Sequence, residues 1–420
     1  MKRLLARAVG LACILTAILA APALANTYTV TRTDDPSSGS CTPSDCSLRE
    51  AINAAQANAG ADTVKLKPGK TYTLTIPAGG LASFVVYRNG PLTITGHGAT
   101  IDGNGAVTGT RVFDVGGSTV LKLVRVTVEG GTINDYGGGI KVETGATLNV
   151  LGGAISGNSS QGEGGGGIYN DGGMVTLHRV SVEGNQGAVS VGGGIDTASD
   201  GTTTIYDSRF FDNSIDGGGG ALGSTSNAQV TVIRSQLSYN TAGDNGGAVY
   251  DSGGAHYDFA NTTINNNTGA NNGGGIRIFD GFVTLKNSTV TRNSAGDGGG
   301  IAVFYDGNGA QSYVTFANTI LAANVDSDAS GGSTPDCSDQ GSGELFHSSG
   351  YNIIGDVTGC AYLAASRATG DQLGTSLSPI DPKLKNEAFN GGNFVGVETF
   401  RRRRQRCAMR RCWERRAEGR

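Results

Sequence analysis

Two short patterns alternate at a nearly constant period between Gly137 and Asn324, and they constrain the fold of this 420-residue chain more than anything else in it. The first is a glycine cluster running into an aliphatic residue, at Ile140, Ile168, Ile195, Leu222, Val249, Ile276 and Ile301, in steps of 28, 27, 27, 27, 27 and 25 residues. The second is an apolar residue followed three places later by asparagine. It ends on Asn158, Asn185, Asn213, Asn240, Asn267, Asn293 and Asn324, in steps of 27, 28, 27, 27, 26 and 31. A fixed period of this length is the signature of a solenoid, in which each unit buries its apolar face only against its neighbours.

The unit is too long for a hairpin and carries about three strand-sized runs, so the strands are expected to be parallel. In one unit these are the run into Ile276-Arg277-Ile278, then Val283-Thr284-Leu285, then Ser288-Thr289-Val290, with Asp280-Gly281, Lys286-Asn287 and Asn293 at the corners. Period two points the aliphatic residues inward. Because parallel crossovers are right-handed, the prediction is an all-β, right-handed parallel β-helix with three strands per coil of about 27 residues. The asparagines would stack from coil to coil at one corner. The glycines would serve tight bends that a Cβ forbids.

Composition supports this. Of 420 residues 70 are glycine, without a Gly-X-Y period, which excludes collagen. Setting aside residues 1–25 and 401–420 removes 13 basic and 2 acidic residues from totals of 32 and 36, leaving 19 against 34, or about −15. An acidic body repels nucleic acid and anionic lipid.

The N-terminus reads as an export signal: Lys2, Arg3 and Arg7 precede an apolar run from Ala8 to Ala21, and Ala23-Leu24-Ala25 forms a cleavage site. Cys13 lies inside that apolar run and is not read as a lipid attachment site. Two local disulfides are expected, Cys41 with Cys46 and Cys337 with Cys360, as suits an oxidising compartment. No stretch of the mature chain approaches the roughly 20 apolar residues of a membrane span.

In chain order, residues 26–61 hold a strand from Thr27 to Thr31, the first disulfide loop and a helix. Ser47 and Glu50 form a capping box, and Leu48, Ile52 and Ala55 share the apolar face of that helix, which stops near Gly60. A lone helix of this length is marginal, so it should cover the open end of the repeats. Residues 62–330 form the β-helix, beginning with short runs at Val64–Leu66, Tyr72–Ile76, Leu92–Ile94, Val112–Val115 and Val120–Val128. Residues 331–400 supply closing coils and a C-terminal cap. Residues 401–420, with ten arginines, two cysteines and the single tryptophan Trp413, read as non-native, as from a shifted reading frame.

Cys46-Ser47-Leu48-Arg49-Glu50-Ala51-Ile52 resembles the CSLREA motif that opens many secreted bacterial β-helix proteins. The glycine and asparagine ladder is similar to the GGA[ILV] and FxxN repeats of polymorphic outer membrane proteins. Phenylalanine of the second motif stands only at Phe210. The resemblance covers about residues 27 to 385. It implies a pectin-lyase-like fold, export, and a place outside the cell, at its surface or in the outer membrane. No C-terminal β-barrel pattern follows, so self-anchoring is not expected.

A pectin-lyase-like shape raises the question of polysaccharide chemistry, which needs carboxylates roughly 5 to 9.5 Å apart across a scissile bond. Asp171, Asp251, Asp280 and Asp306 follow the glycine clusters at drifting offsets, as turn-forming residues do. Gly96-His97-Gly98, with Asp102 downstream and Asp34-Asp35 upstream, matches the Gly-His-Gly of polygalacturonases in the wrong order. His178, His256 and His347 stand alone and read as surface histidines. Asp212, Asp216, Asp244 and Asp297 near corners are the residues considered for calcium, but the nine-residue calcium repeat is absent.

No catalytic, cofactor-binding or metal residue is therefore assigned, and no cofactor is expected. The expected role is non-enzymatic: an exported, monomeric, adhesin-like or scaffold surface that binds a glycan or a host or cell-surface protein. The alternative is an enzyme of pectate lyase or polygalacturonase type acting on acidic glycans. A functional site is to be sought where the period fails, between Asp102 and Gly137, at Asn318 to Asn324, or on loops facing the ladder.

Overall fold

The computed structural model describes residues 24–77, 82–87, 90–305, 312–328, 335–341 and 345–385. The Arg-rich segment, most of the signal segment, Cys13 and Asp306 lie outside the described residues.

The chain folds as a parallel β-solenoid built from three sheets. Every coil places one strand on the second sheet, which runs over ten strands from Phe84–Tyr87 to Cys337–Gly341 among the described residues. The repeating aliphatics are in strict register there: Ile140, Ile168, Ile195, Leu222, Val249, Ile276 and Ile301 are successive Cα partners. All are buried against the single apolar core.

The second strand of each coil lies on the first sheet, as Phe282–Lys286 does. The run Ser288-Thr289-Val290, expected as the third side, instead belongs to that same sheet, in the strand Thr289–Thr291. Between the two segments one residue takes left-handed φ and bends the strand: Arg179 at 59°, Asp207 at 49°, Arg234 at 50°, Asn261 at 53° and Asn287 at 51°. The third side comes after the ladder asparagine, as two-residue strands from Thr132–Ile133 to Val325–Asp326. So short a run carries no periodicity of its own, which is why the sequence does not announce it.

The connection from the third side back to the second sheet is the glycine cluster. Gly246 has φ of +64°, and a Cβ there would collide with the carbonyl oxygen of Val249. The glycines thus let the loops lie flat against the outer face of the second sheet.

The helix Leu48–Gln56 plugs the N-terminal end, burying Leu48, Ala51, Ile52 and Ala55. Ser47 Oγ accepts from the Glu50 amide at 3.2 Å, and Glu50 Oε2 accepts from the Ser47 amide at 2.7 Å. Arg49 is held by Asp35 at 2.6 and 3.0 Å and by the carbonyl of Ala82. Cys41 is bonded to Cys46, and Cys337 to Cys360, with Cα atoms 4.2 and 5.8 Å apart. Among the described residues no helix is long and apolar enough to cross a membrane.

Candidate functional site

The asparagines form a continuous ladder. Asn158 Nδ2 donates to Asn185 Oδ1 at 3.0 Å, and the same bond recurs at 2.9 Å from Asn185 to Asn213, Asn240, Asn267, Asn293 and Asn324 in turn. Each backbone amide donates to the same oxygen, and each Nδ2 also reaches a carbonyl of the preceding coil, as Asn240 does to Phe210. From Asn185 to Asn324 each side-chain amide donates twice and accepts twice, so the ladder holds no reactive group. It terminates on a carboxylate, Asp336, whose Oδ1 accepts from Asn324 Nδ2 at 2.9 Å.

A second ladder, which sequence reasoning missed, runs along the bend of the first sheet. Val180, Ser208, Thr262, Ser288 and Thr319 each donate a backbone amide to the hydroxyl or amide side chain below: Ser208, Ser235, Ser288, Thr319 and Asn352. It too ends on a carboxylate, Asp371. Its signal was a small polar residue two places before the apolar residue of five apolar-x-x-Asn sets, at Ser208, Ser235, Thr262, Ser288 and Thr319, and the mixture of Ser and Thr hides the repeat.

Chemistry gathers elsewhere, on the outward row of the second sheet and the loops lying over it. Successive Cα partners there are Asp114, Lys141, Tyr169 and Asp196. One step along the strands stand Glu143 and Asp171. Arg111 anchors the arrangement, with Nη1 on Asp114 at 3.0 Å and Nη2 on Asp135 at 2.6 Å and on the Tyr136 carbonyl at 2.9 Å. The rings of Tyr136 and Tyr169 stack with centroids 4.3 Å apart and planes inclined by 22°. Arg111, Asp114, Asp135 and Tyr136 fall in the interval between Asp102 and Gly137 where the period fails.

Asp196 is the exceptional member. It is 1% exposed, and neither carboxyl oxygen has a hydrogen-bond partner among the described residues. Burial, then the negative charges of Asp171 and Glu163, hold its carboxyl well above the usual range. Burial also raises Asp114 and Tyr169. Buried polar groups are nearly always paired, so an unpaired acid among titratable neighbours marks a functional position better than a structural one. Sequence reasoning passed over Asp196 because it follows Ile195 directly, where the period expects only a strand residue.

The aspartates weighed from sequence have local roles. Asp171 accepts from Ser199 Oγ at 2.6 Å. Asp251 points inward and is fully buried, accepting from Ser224 Oγ and the amides of Gly253 and Ala255. Asp280 sits at a bend with φ of 108°. His97 is exposed at a corner, with φ of 48°, where the strand Pro91–Asp102 shifts register. Asp35 is engaged by Arg49 rather than by any other acid. Asp244 and Asp297 pair with Asn271 and Ser338. Among the described residues no three His, Cys, Asp or Glu side chains are placed to hold a metal ion.

No protein-family model matches the chain, and no curated protein matches it. Among solved structures it is similar to one titled "Crystal structure of pectate lyase Pel9A", at 14% identity, over 91% of this chain and 93% of that one, with a TM-score of 0.45. The parallel β-helix is assigned here on its own strand pairings, and the similarity adds nothing about activity.

Proposed function

We propose that this chain is an exported, adhesin-like or scaffold protein that binds a glycan chain beside the Tyr136–Tyr169 stack on the outer side of its second sheet. The observation that carries the reading is the Tyr136–Tyr169 stack beside Asp196. Stacked rings offer an apolar face for sugar C–H groups, and the surrounding carboxyls accept hydrogen bonds from sugar hydroxyls. The site favours an uncharged glycan. Asp114, Asp135, Glu143, Glu163 and Asp171 outnumber Arg111 and Lys141, so a polyuronate would be repelled.

A second reading, hydrolysis of such a glycan, is favoured by Asp196, whose buried carboxyl is unpaired among the described residues and has its pKa raised by burial. A carboxyl raised by burial beside further carboxyls is the kind of pairing that general acid catalysis uses.

Affinity electrophoresis against neutral and acidic polysaccharides, with a reducing-end assay on the same mixtures, tests both readings. The expected result is retardation by a neutral glycan, weakened at least about fivefold in Tyr136→Ala, without new reducing ends. Failure of every glycan to retard the protein would remove the binding reading. Reducing ends that vanish in Asp196→Asn would replace it with hydrolysis.

A further inference from the structure

The outer face of the first sheet carries a line of rings that neither the Tyr136–Tyr169 site nor the ladders use. His256, Phe282 and Tyr313 are successive Cα partners on outward positions of neighbouring strands. His347, the Cα partner of Thr315 one outward row over, and then Tyr362 carry the line on toward the C-terminal end through ring contacts. Centroid separations along it are 4.6, 4.6, 5.6 and 6.1 Å. His256 and Tyr313 are exposed, the others half-buried.

Rings at outward positions do not serve the core, which on the same strands is filled by Tyr257, Phe259, Val283, Leu285, Val314 and Phe316. The strip is one ring wide and is bordered on the next outward row by Thr231, Asp258, Thr284 and Thr315. Its near neighbours thus hold hydroxyls and one acid, with Lys286 beyond them, so it is close to neutral on a body of about −15. A protein or lipid partner would call for a broader apolar patch. A polyanion would be repelled by the body as a whole. What fits a narrow apolar line edged by hydroxyls is a chain with apolar ring faces and peripheral hydroxyls.

We infer that this aromatic strip is a second binding surface, for an uncharged polysaccharide lying parallel to the solenoid axis. Successive rings are inclined to one another by 47°, 59°, 85° and 72°, so they present no common plane. The strip therefore suits a soluble, twisted glucan rather than the flat face of a crystalline one.

The test is affinity electrophoresis of the full chain in gels containing laminarin or amylose, with sedimentation on microcrystalline cellulose alongside. The double variant Phe282→Ala/Tyr313→Ala is compared with wild type, and Phe282→Tyr with both. Expected is retardation by a soluble glucan, weakened at least about fivefold in the double variant and retained in Phe282→Tyr, with no capture by cellulose. Thermal unfolding of the double variant should stay close to wild type, because the deleted rings face outward. Tyr136→Ala reports separately on the Tyr136–Tyr169 site, so loss there with the strip variant unchanged overturns this inference alone. Retardation by neither glucan, or by a sulfated polyanion only, also overturns it.

Discussion

At the scale of single residues, the asparagine ladder shows why one amide cannot be exchanged for its acid. Every inner rung must donate downward from Nδ2 and accept upward on Oδ1, while the last rung only accepts. That is why Asp336 can close the series and Asn240 cannot be aspartate. Asn240→Asp is expected to destabilise by about 3 kcal/mol or more, since Asn267 Oδ1 loses a side-chain donor and gains a buried charge nearby. Asp336→Asn should cost less than half as much. Urea unfolding of the two variants measures the difference, and equal losses would contradict the assigned bond directions.

At the scale of strands and corners, two buried acids make stability depend on pH. Asp251 lies on the inward face of the strand Val249–Asp251, and Asp336 at the foot of the ladder. Burial raises each from 3.8 to about 6, against the hydrogen bonds that each accepts. Raised acids hold an extra proton in the folded state between pH 4 and 6, so stability falls as pH rises through that window. The effect is at most about 3 kcal/mol for each group. Asp251→Asn keeps the acceptor and removes the ionisation. It should raise the melting temperature at pH 7 to 8 and flatten its fall between pH 4 and 6. A melting profile as steep as wild type would show that Asp251 does not titrate there.

At the scale of the whole molecule, a solenoid has two open ends whose unpaired strands invite edge-to-edge association. The N-terminal end is closed by the helix Leu48–Gln56, whose Ile52 is 1% exposed. Ile52→Asp would bury a carboxylate without a partner, and several kcal/mol of stability should be lost. With the plug loosened, concentration-dependent association should appear in sedimentation velocity. A monomeric variant of unchanged melting temperature would mean that the helix does not protect the end.

The period of the chain was sufficient for the solenoid, the register of its aliphatics and the stacking of its asparagines. Each of these follows from local geometry repeated without change, and repetition is visible in one dimension. The third side of each coil, two residues long, and the hydroxyl ladder were not legible, because neither has a pattern of its own and both exist only through the coil beneath. The candidate site belongs to the same class. Asp114, Lys141, Tyr169 and Asp196 are spread from position 114 to position 196 and share no motif. Only the parallel register sets them side by side, and only the glycine loops folded over the sheet strip water from Asp196. The helical winding decided which ordinary residues became neighbours, and burial decided which of them have raised pKa values.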